Sequence, residues 1–213
     1  MKRHPVFARL YARLAPVHLT KGEGAAHRAT LLAGLSGRVL EIGAGSGLNF
    51  GFYPPSVTAV IALEPEPYLR AKLIEAARRA PLPVEVVEGV AEELPFTSGS
   101  FAAVVFSLVL CSVDDPAAAL AEARRVLEPG GELRAYEHVL SRSPRLARWQ
   151  NLLDRVQVWP RLGGGCHPNR DTLAAIEAAG FEVVRLERFR EDLGPLLAPA
   201  SPLIMVRALS ARA

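Results

Sequence analysis

The stretch LEIGAGSGL at residues 40–48 constrains this chain more than any other. A short apolar run, Arg38 to Ile42, ends in Gly43, Gly45 and Gly47. A buried strand that meets such glycines and continues into helical sequence is the first turn of a βαβ unit. Glycines there leave backbone N–H groups open at the next helix, and the missing side chains let a ribose or phosphate approach. The dinucleotide fingerprint needs G-x-G-x-x-G, yet Leu48 stands where its third glycine belongs. Glu41, two residues before Gly43, would repel a pyrophosphate and hold an ammonium group. The loop therefore predicts a nucleotide-like ligand with a positive charge nearby and no diphosphate. A nicotinamide oxidoreductase is disfavoured on both counts.

The rest of the chain fits that unit. Strand-like runs at 57–63, 84–88, 101–110 and 132–139 alternate with helical spacing at 68–79, stopped by Pro81, and with a helix opened by Pro116 and ended at Glu128-Pro-Gly-Gly131. FAAVVFSLVL at 101–110 is nearly all apolar, as a central parallel strand is. Such alternation implies right-handed crossovers, an open parallel sheet and a ligand at the carboxyl ends of the strands. The pattern changes beyond residue 140. A helix is predicted over 143–161, then a glycine-rich loop at 162–169 and a helix from Asp171 to Ala179. Two strands at 181–189 and 203–209 have no long helix between them, so they pair antiparallel. The first 35 residues read as two short helices. One domain results: helices at 1–35, a cofactor-binding half at 36–140, and a substrate lid with the final strands at 141–213.

Composition narrows the function. Half the residues are hydrophobic, which supplies a core and excludes disorder. The formal charge of +3 is too small to imply nucleic acid. No apolar run approaches the ~20 residues that span a bilayer, and MKRHPVFARLYARLAPVHL has no apolar segment of the kind a secretory signal needs. Two cysteines make neither a disulfide framework nor a four-cysteine zinc site, so a cytoplasmic protein is expected. Arg142 to Arg170 contains six arginines and one acid, Asp154, which reads as a solvated face.

Five segments in order resemble the class I S-adenosylmethionine-dependent methyltransferases: LEIGAGSG, ALEPEP, VEGVAEELPF, SFAAVVFSLVL and RVLEPGGEL. The resemblance covers about residues 36 to 140. It implies a Rossmann-like α/β fold with a mostly parallel seven-stranded sheet, an antiparallel last strand and helices on both faces. It implies S-adenosylmethionine as cofactor, with S-adenosylhomocysteine as product. Glu41 and the backbone of Gly43, Ala44, Gly45, Ser46 and Gly47 would face the methionine part. Glu64 would accept the ribose hydroxyls. Pro65, Val90, Ala91 and Glu92 would flank the adenine, and Ser107 would close the site at the end of the fourth strand. Many members carry Asp where Val90 stands, so the Ala91 backbone or Glu92 would have to meet the adenine amino group. NFGFYPP, SLVLCSVDD, YEHV and GCHPNRDT are similar to the alkyl-thiol S-methyltransferase branch. Its animal members have an N-terminal membrane anchor, and none is expected from this sequence.

That resemblance implies a small-molecule methyl acceptor, a thiol, attacked by in-line displacement. The leaving group departs neutral and needs no acid, so proximity and a dry pocket matter most. A thiol must lose its proton to attack well. His138 is the best-placed base and Asp114 an alternative, while Asp115 suits a helix N-cap. Trp149 and Trp159 belong to the lid, and Arg170 either clasps a substrate carboxylate or anchors that lid. Cys111 is expected buried and inert, and Cys166 more exposed. A metal site of Cys166, His167 and His138 lacks a fourth ligand, so no metal is expected. The competing readings are an O-, N- or C-methyltransferase acting on a molecule such as a quinone precursor, and a non-catalytic cofactor-binding or RNA-binding protein.

Overall fold

A computed structural model of the protein describes residues 5–19, 21–191 and 194–211. The charged residues at 1–4, part of the segment read for a signal sequence, lie outside the described residues, as do the chain's last two. Two helices come first, α1 (Pro5–Leu19) and α2 (Gly22–Leu32). Then follow β1 (Gly37–Ile42), β2 (Val57–Leu63), α3 (Pro67–Ala77), β3 (Val84–Val87), β4 (Phe101–Ser107), α4 (Pro116–Val126) and β5 (Leu127–His138). The later part holds α5 (Pro144–Arg155), α6 (Val158–Leu162), α7 (Thr172–Ala178), β6 (Phe181–Arg190), the single turn α8 (Gly194–Leu197) and β7 (Pro202–Ser210).

The described strands form one seven-stranded sheet in the order β3-β2-β1-β4-β5-β7-β6. β1 pairs parallel with β2 and β4, and β4 parallel with β5. β7 runs antiparallel to both β5 and β6. This is the Rossmann-like topology of class I methyltransferases. The order reverses between β1 and β4, which makes the carboxyl ends of those two strands the switch point where a ligand crevice opens.

Both faces of the sheet are covered. On one, Leu63, Phe101, Phe106, Leu120 and Leu133 pack with α4 and α7. On the other, Val39, Val60, Leu73, Val105 and Tyr136 pack with α2 and α3. Each fully buried large apolar side chain contributes about 1.5–3 kcal/mol, so alternate residues of β1 and β4 hold both layers. The helices start where the sequence provides an acceptor: Glu66 takes the Leu69 amide, Asp115 those of Ala117 and Ala118, and Asp171 that of Ala174.

Several elements differ from expectation. β5 starts at Leu127 rather than 132, taking in the Glu128–Gly131 stretch read as a helix stop. The helix expected after the glycine loop is only the 3-10 turn Phe50–Phe52. Two further differences lie near the crevice. β4 ends at Ser107 rather than 110, because Leu108 takes φ 63° and turns the chain over the strand ends. A leucine held there is strained, which marks a backbone fixed by its surroundings. The helix expected over 143–161 is broken into α5 and α6 at Gln157, whose φ is 57°. Gln157 gives both its backbone N–H and its side-chain amide to the Asp154 carbonyl, and this turns the chain toward the crevice.

Candidate functional site

One cleft of about 1210 Å³ opens at the switch point. Its floor is the strand ends and its roof is α1, α5 and α6. At one end lie Gly43, Gly45, Glu64 and Pro65, and at the other Cys111, His138, Trp159 and Cys166.

The first end is built from backbone. Gly43, Gly45 and Gly47 all have positive φ, between 59° and 81°. A Cβ on Gly43 would stand 2.7 Å from Val109, and one on Gly47 2.8 Å from Phe50. Gly45 instead faces the cleft, where an added Cβ would meet only the Tyr11 ring, at 3.4 Å. Glu64 is buried at the tip of β2. Its carboxylate accepts the Gly45 amide at 2.8 Å and the Glu66 amide at 2.9 Å. Burial raises its pKa and those two amides counter the rise, so an oriented acceptor faces the cleft, as a ribose diol requires. Ser107 Oγ, buried in the same wall, has no hydrogen-bond partner. A glycine cradle, an oriented carboxylate and an unsatisfied hydroxyl in one wall fit S-adenosylmethionine.

Glu41 lies elsewhere than the sequence placed it. It sits behind the loop, off the cleft wall, 2 % exposed. Its oxygens accept from Asn49 Nδ2 at 2.7 Å and Tyr53 OH at 2.9 Å. Arg28 donates to Asn49 Oδ1, which brings α2 into the same network. Burial pushes the Glu41 pKa up to about 7 against these bonds. Its reach is into the fold, supporting the turn from beneath. Ala44 and Ser46 complete the loop. The Ala44 amide bonds Leu63 O and its carbonyl takes the Gly47 amide, while Ser46 Oγ is buried without a partner.

Ala91 and Glu92 line the cleft beside Pro65. Val90 is held back in a bridge to Glu93. The Glu92 carboxylate already accepts the amides of Asp114 and Asp115, at 2.9 and 3.3 Å, so it braces the loop after β4. Asp115 caps α4, and Asp114 is exposed in the cleft lining, with its amide on Glu92.

The second end is built from side chains that three segments bring together. Glu137, at 0 % exposure, accepts the amides of Val109, Leu110 and Cys111 at 2.9, 2.9 and 3.1 Å. It thereby folds the post-β4 loop over its own strand. The next residue, His138, points Nδ1 at Cys166 Sγ, 3.6 Å away, and at Cys111 Sγ, 3.9 Å away. Cys166 is buried, contrary to expectation. The loop 163–167 is drawn in by bonds from Gly163 N to Trp159 O, Gly165 N to Pro160 O and His167 N to Cys111 O. His167 turns away from this group and pairs with Asp154 through Nδ1. Cys111, read as inert, takes its place.

Arg170 is a strut. Its guanidinium donates to Leu110 O at 2.6 Å and its carbonyl accepts Leu140 N. The other arginines of the 142–170 segment are exposed. Trp149 stands at the cleft mouth, 60 % exposed, while Trp159 lies deeper with its Nε1 buried and unpartnered.

Phe7, Tyr11, Glu137 and Gln150 escaped the sequence reading. The signal for Glu137 was a lone carboxylate inside the apolar strand RAYEHV, which must find donors. Gln150, also fully buried, reaches the carbonyls of Val139, Pro168 and Pro199 and accepts Ser141 N, and so fastens α5 to the strand ends.

Comparison with known proteins follows the same division. A methyltransferase domain family matches residues 40–135. The human thiol S-methyltransferase TMT1B is 39 % identical over 184 residues, 84 % of this chain and 73 % of that protein. The alignments with it and three further thiol S-methyltransferases take in 65 to 73 % of the relatives' length. A demethylmenaquinone methyltransferase of Mycobacterium sp. strain KMS is 29 % identical, covering 82 % of this chain and 80 % of that one. Among solved structures, a SAM-dependent methyltransferase from Thermotoga maritima superposes with a TM-score of 0.68 at 22 % identity, over 97 % of this chain and 99 % of that one.

Proposed function

Because the chain belongs to the S-adenosylmethionine-dependent methyltransferases, in the family of the thiol S-methyltransferases, we propose that it methylates the sulfur of a small, largely apolar thiol held in this cleft. The observation that carries the reading is the continuity of the cleft from Gly45 and Glu64 to His138 and Cys166. S-Adenosylmethionine, when bound, supplies an electrophilic methyl group on a sulfonium.

Each part of the chain then has a task. The Gly43–Gly47 turn and Glu64 hold the donor at fixed depth. Ser107, at the end of β4, offers its free hydroxyl between donor and acceptor. Phe7, Tyr11, Leu153 and Trp159 supply an apolar roof that keeps water from the methyl group. The acceptor sulfur lies against Cys111, His138 and Cys166, and the loss of its proton is assigned to that corner. No general acid is required, because a sulfonium leaves as a neutral thioether. Catalysis comes mainly from alignment, which supplies up to ~7–11 kcal/mol in well-oriented reactions.

On this reading the chain divides into helices at 1–35, a donor half at 36–140 and an acceptor-side lid with the last strands at 141–213. Its partner is a small molecule, since a roofed cleft suits one better than a polymer. Two free cysteines suit the reducing cytoplasm, and no helix among the described residues is long and apolar enough to cross a membrane.

The test is transfer of labelled methyl to a panel of an alkyl thiol, a phenol, an amine and a quinol. Turnover confined to the thiol is the expected result. Turnover on a quinol or phenol with none on the thiol would remove the thiol reading and leave the methyltransferase.

A further inference from the structure

Resting on the thiol reading, we propose that Cys111, His138 and Cys166 bind a zinc ion whose fourth position opens into the cleft and takes the acceptor thiol as its thiolate. The Sγ atoms of Cys111 and Cys166 and a ring nitrogen of His138 all lie within 4.8 Å of one another. His138 Nδ1 stands 3.6 Å from one sulfur and 3.9 Å from the other. Tetrahedral zinc with Zn–S of ~2.3 Å and Zn–N of ~2.0–2.1 Å places a sulfur and a nitrogen about 3.6 Å apart and two sulfurs about 3.8 Å apart. The side chains therefore need only small movements to enclose the ion.

Three further features point the same way. The ligands come from separate segments, each fastened by the backbone. Glu137 grips the Cys111 loop through three amides. The His167 amide ties the Cys166 loop to Cys111 O at 2.7 Å. Arg170 pins the Leu110 carbonyl. Such support outside the ligands fixes a metal site before the metal arrives. Next, two thiols and an imidazole are weak hydrogen-bond partners for one another, whereas two thiolates and a neutral imidazole match zinc in charge and softness. Finally, all three residues line the cleft. Two cysteines and a histidine with one open position form a recognised donor set of catalytic rather than structural zinc.

The chemistry closes without a further reactant. The two protein thiolates balance the charge of the ion. An incoming thiol forms a zinc–sulfur bond and releases its proton to solvent as the water in the fourth position leaves. A lone pair of that sulfur forms the new bond to the methyl carbon while the methyl–sulfonium bond breaks, its pair remaining on the departing neutral sulfur. The product thioether carries no charge, binds zinc weakly and leaves. His138 is then a ligand through Nδ1, and the metal does what a base at this position would do.

The first measurement needs no acceptor. The full-length protein, purified under reducing conditions, is stripped with a chelator and titrated with zinc against a chromophoric competitor, then with cobalt(II). We expect one ion per chain. The cobalt form should show a thiolate-to-metal charge-transfer band, and its visible bands should shift on adding an alkyl thiol but not the corresponding alcohol. Cys166→Ser and His138→Gln should each weaken zinc binding by about 100-fold or more and remove the cobalt signature. S-Adenosylmethionine affinity, read at the other end of the cleft, should stay unchanged and so report an intact fold. Zinc affinity equal in wild type and both variants would overturn the site. Full thiol methylation by the stripped protein would overturn its role while leaving the thiol reading intact. Variant-sensitive zinc binding in a protein that methylates only a phenol or quinol would do the reverse, removing the thiol reading and keeping the metal.

Discussion

The two ends of the cleft are made in opposite ways. On the proposed reading the donor end is one contiguous turn, Gly43 to Gly47, whose working groups are amides and one carboxylate, Glu64, received from the adjoining strand. The acceptor end is three side chains from distant segments, held by Glu137, Arg170 and the backbone of the 163–167 loop. A contiguous backbone site tolerates almost any acceptor chemistry beside it. An assembled side-chain site commits the protein to one. The comparison implies that damage at either end should stay local, and variants can be chosen to break that expectation.

Gly45→Val carries the largest expected effect. A β-branched residue is forced to φ 59° with its side chain in the cleft beside Tyr11. S-Adenosylmethionine binding should fall by about 100-fold or more. The fold survives because Gly45, unlike Gly43 and Gly47, has open space on its cleft side. Calorimetric titration gives the affinity and circular dichroism the fold. If zinc binding at Cys111, His138 and Cys166 fell with it, the two ends would be one cooperative unit and the separation would be lost.

Glu41→Gln comes next and tests what lies beneath the donor turn. The folded carboxyl is raised from 4.5 to about 7, mainly by burial. Its favourable contribution is therefore complete below about pH 4.5. It is lost as pH rises toward 7, where the unfolded chain has already released the proton and the folded one has not. The full change is about 3 kcal/mol at ~1.4 kcal/mol per pH unit. Glutamine keeps an acceptor for Asn49 and can donate to the Tyr53 oxygen. Denaturant unfolding of the ligand-free variant should lose this fall in stability between pH 4.5 and 7. An unchanged pH slope would show that Glu41 is already ionised in the folded state.

These two positions also show what the sequence could convey. The glycine turn and the parallel strands beside it depend on local spacing, and the reversal at β7 was legible because no long helix separates residues 181–189 from 203–209. The helix expected after the glycine turn is absent, because only the 3-10 turn Phe50–Phe52 joins β1 to β2. Glu64 could be placed at the cleft because motif and strand end coincide. Glu41 was read as facing a ligand because spacing from a glycine gives position along a strand and not the direction of the carboxylate. The acceptor corner was read in part: His138 and Cys166 were grouped with His167, where the fold brings Cys111 instead. Cys111 and Cys166 are far apart in the chain, and nothing in the segment GCHPNRDT tells that Cys166 turns inward while His167 turns to Asp154. The left-handed backbone at Leu108 and Gln157 shapes that corner. Leu108 is held across the sheet by Tyr136 O and Gln157 by Asp154 O in the preceding turn, and neither residue type signals such a backbone.

Glu64→Ala should have a smaller effect than Gly45→Val, because it removes ligand contacts without filling the site. Loss of a charge-assisted acceptor weakens S-adenosylmethionine binding by about 1–3 kcal/mol. The Gly45 and Glu66 amides also lose their partner, so the turn loosens while the sheet remains. An affinity equal to wild type would place the ribose elsewhere in the cleft. Thiol coordination by the cobalt form should be untouched.

Glu92→Ala has the smallest expected effect and probes a place where the two ends meet. Glu92 stands on the donor side, beside Ala91, yet its carboxylate holds the amides of Asp114 and Asp115 in the loop that leaves β4 toward the acceptor side. The bonds are exposed, so solvent replaces them at little cost, and α4 keeps its own cap from Asp115. Removal should cost below ~1 kcal/mol in stability and a similar amount in S-adenosylmethionine affinity. A loss well beyond that in affinity, with stability unchanged, would mean that the carboxylate serves the adenine amino group directly and lets the loop go when the cofactor binds. A loss in zinc affinity instead would mean that the 114–115 loop transmits the state of the donor end to Cys111, and the two ends would be coupled through a single side chain. The expected outcome, a small and equal effect on stability and binding, keeps Glu92 as a brace between two sites that work independently.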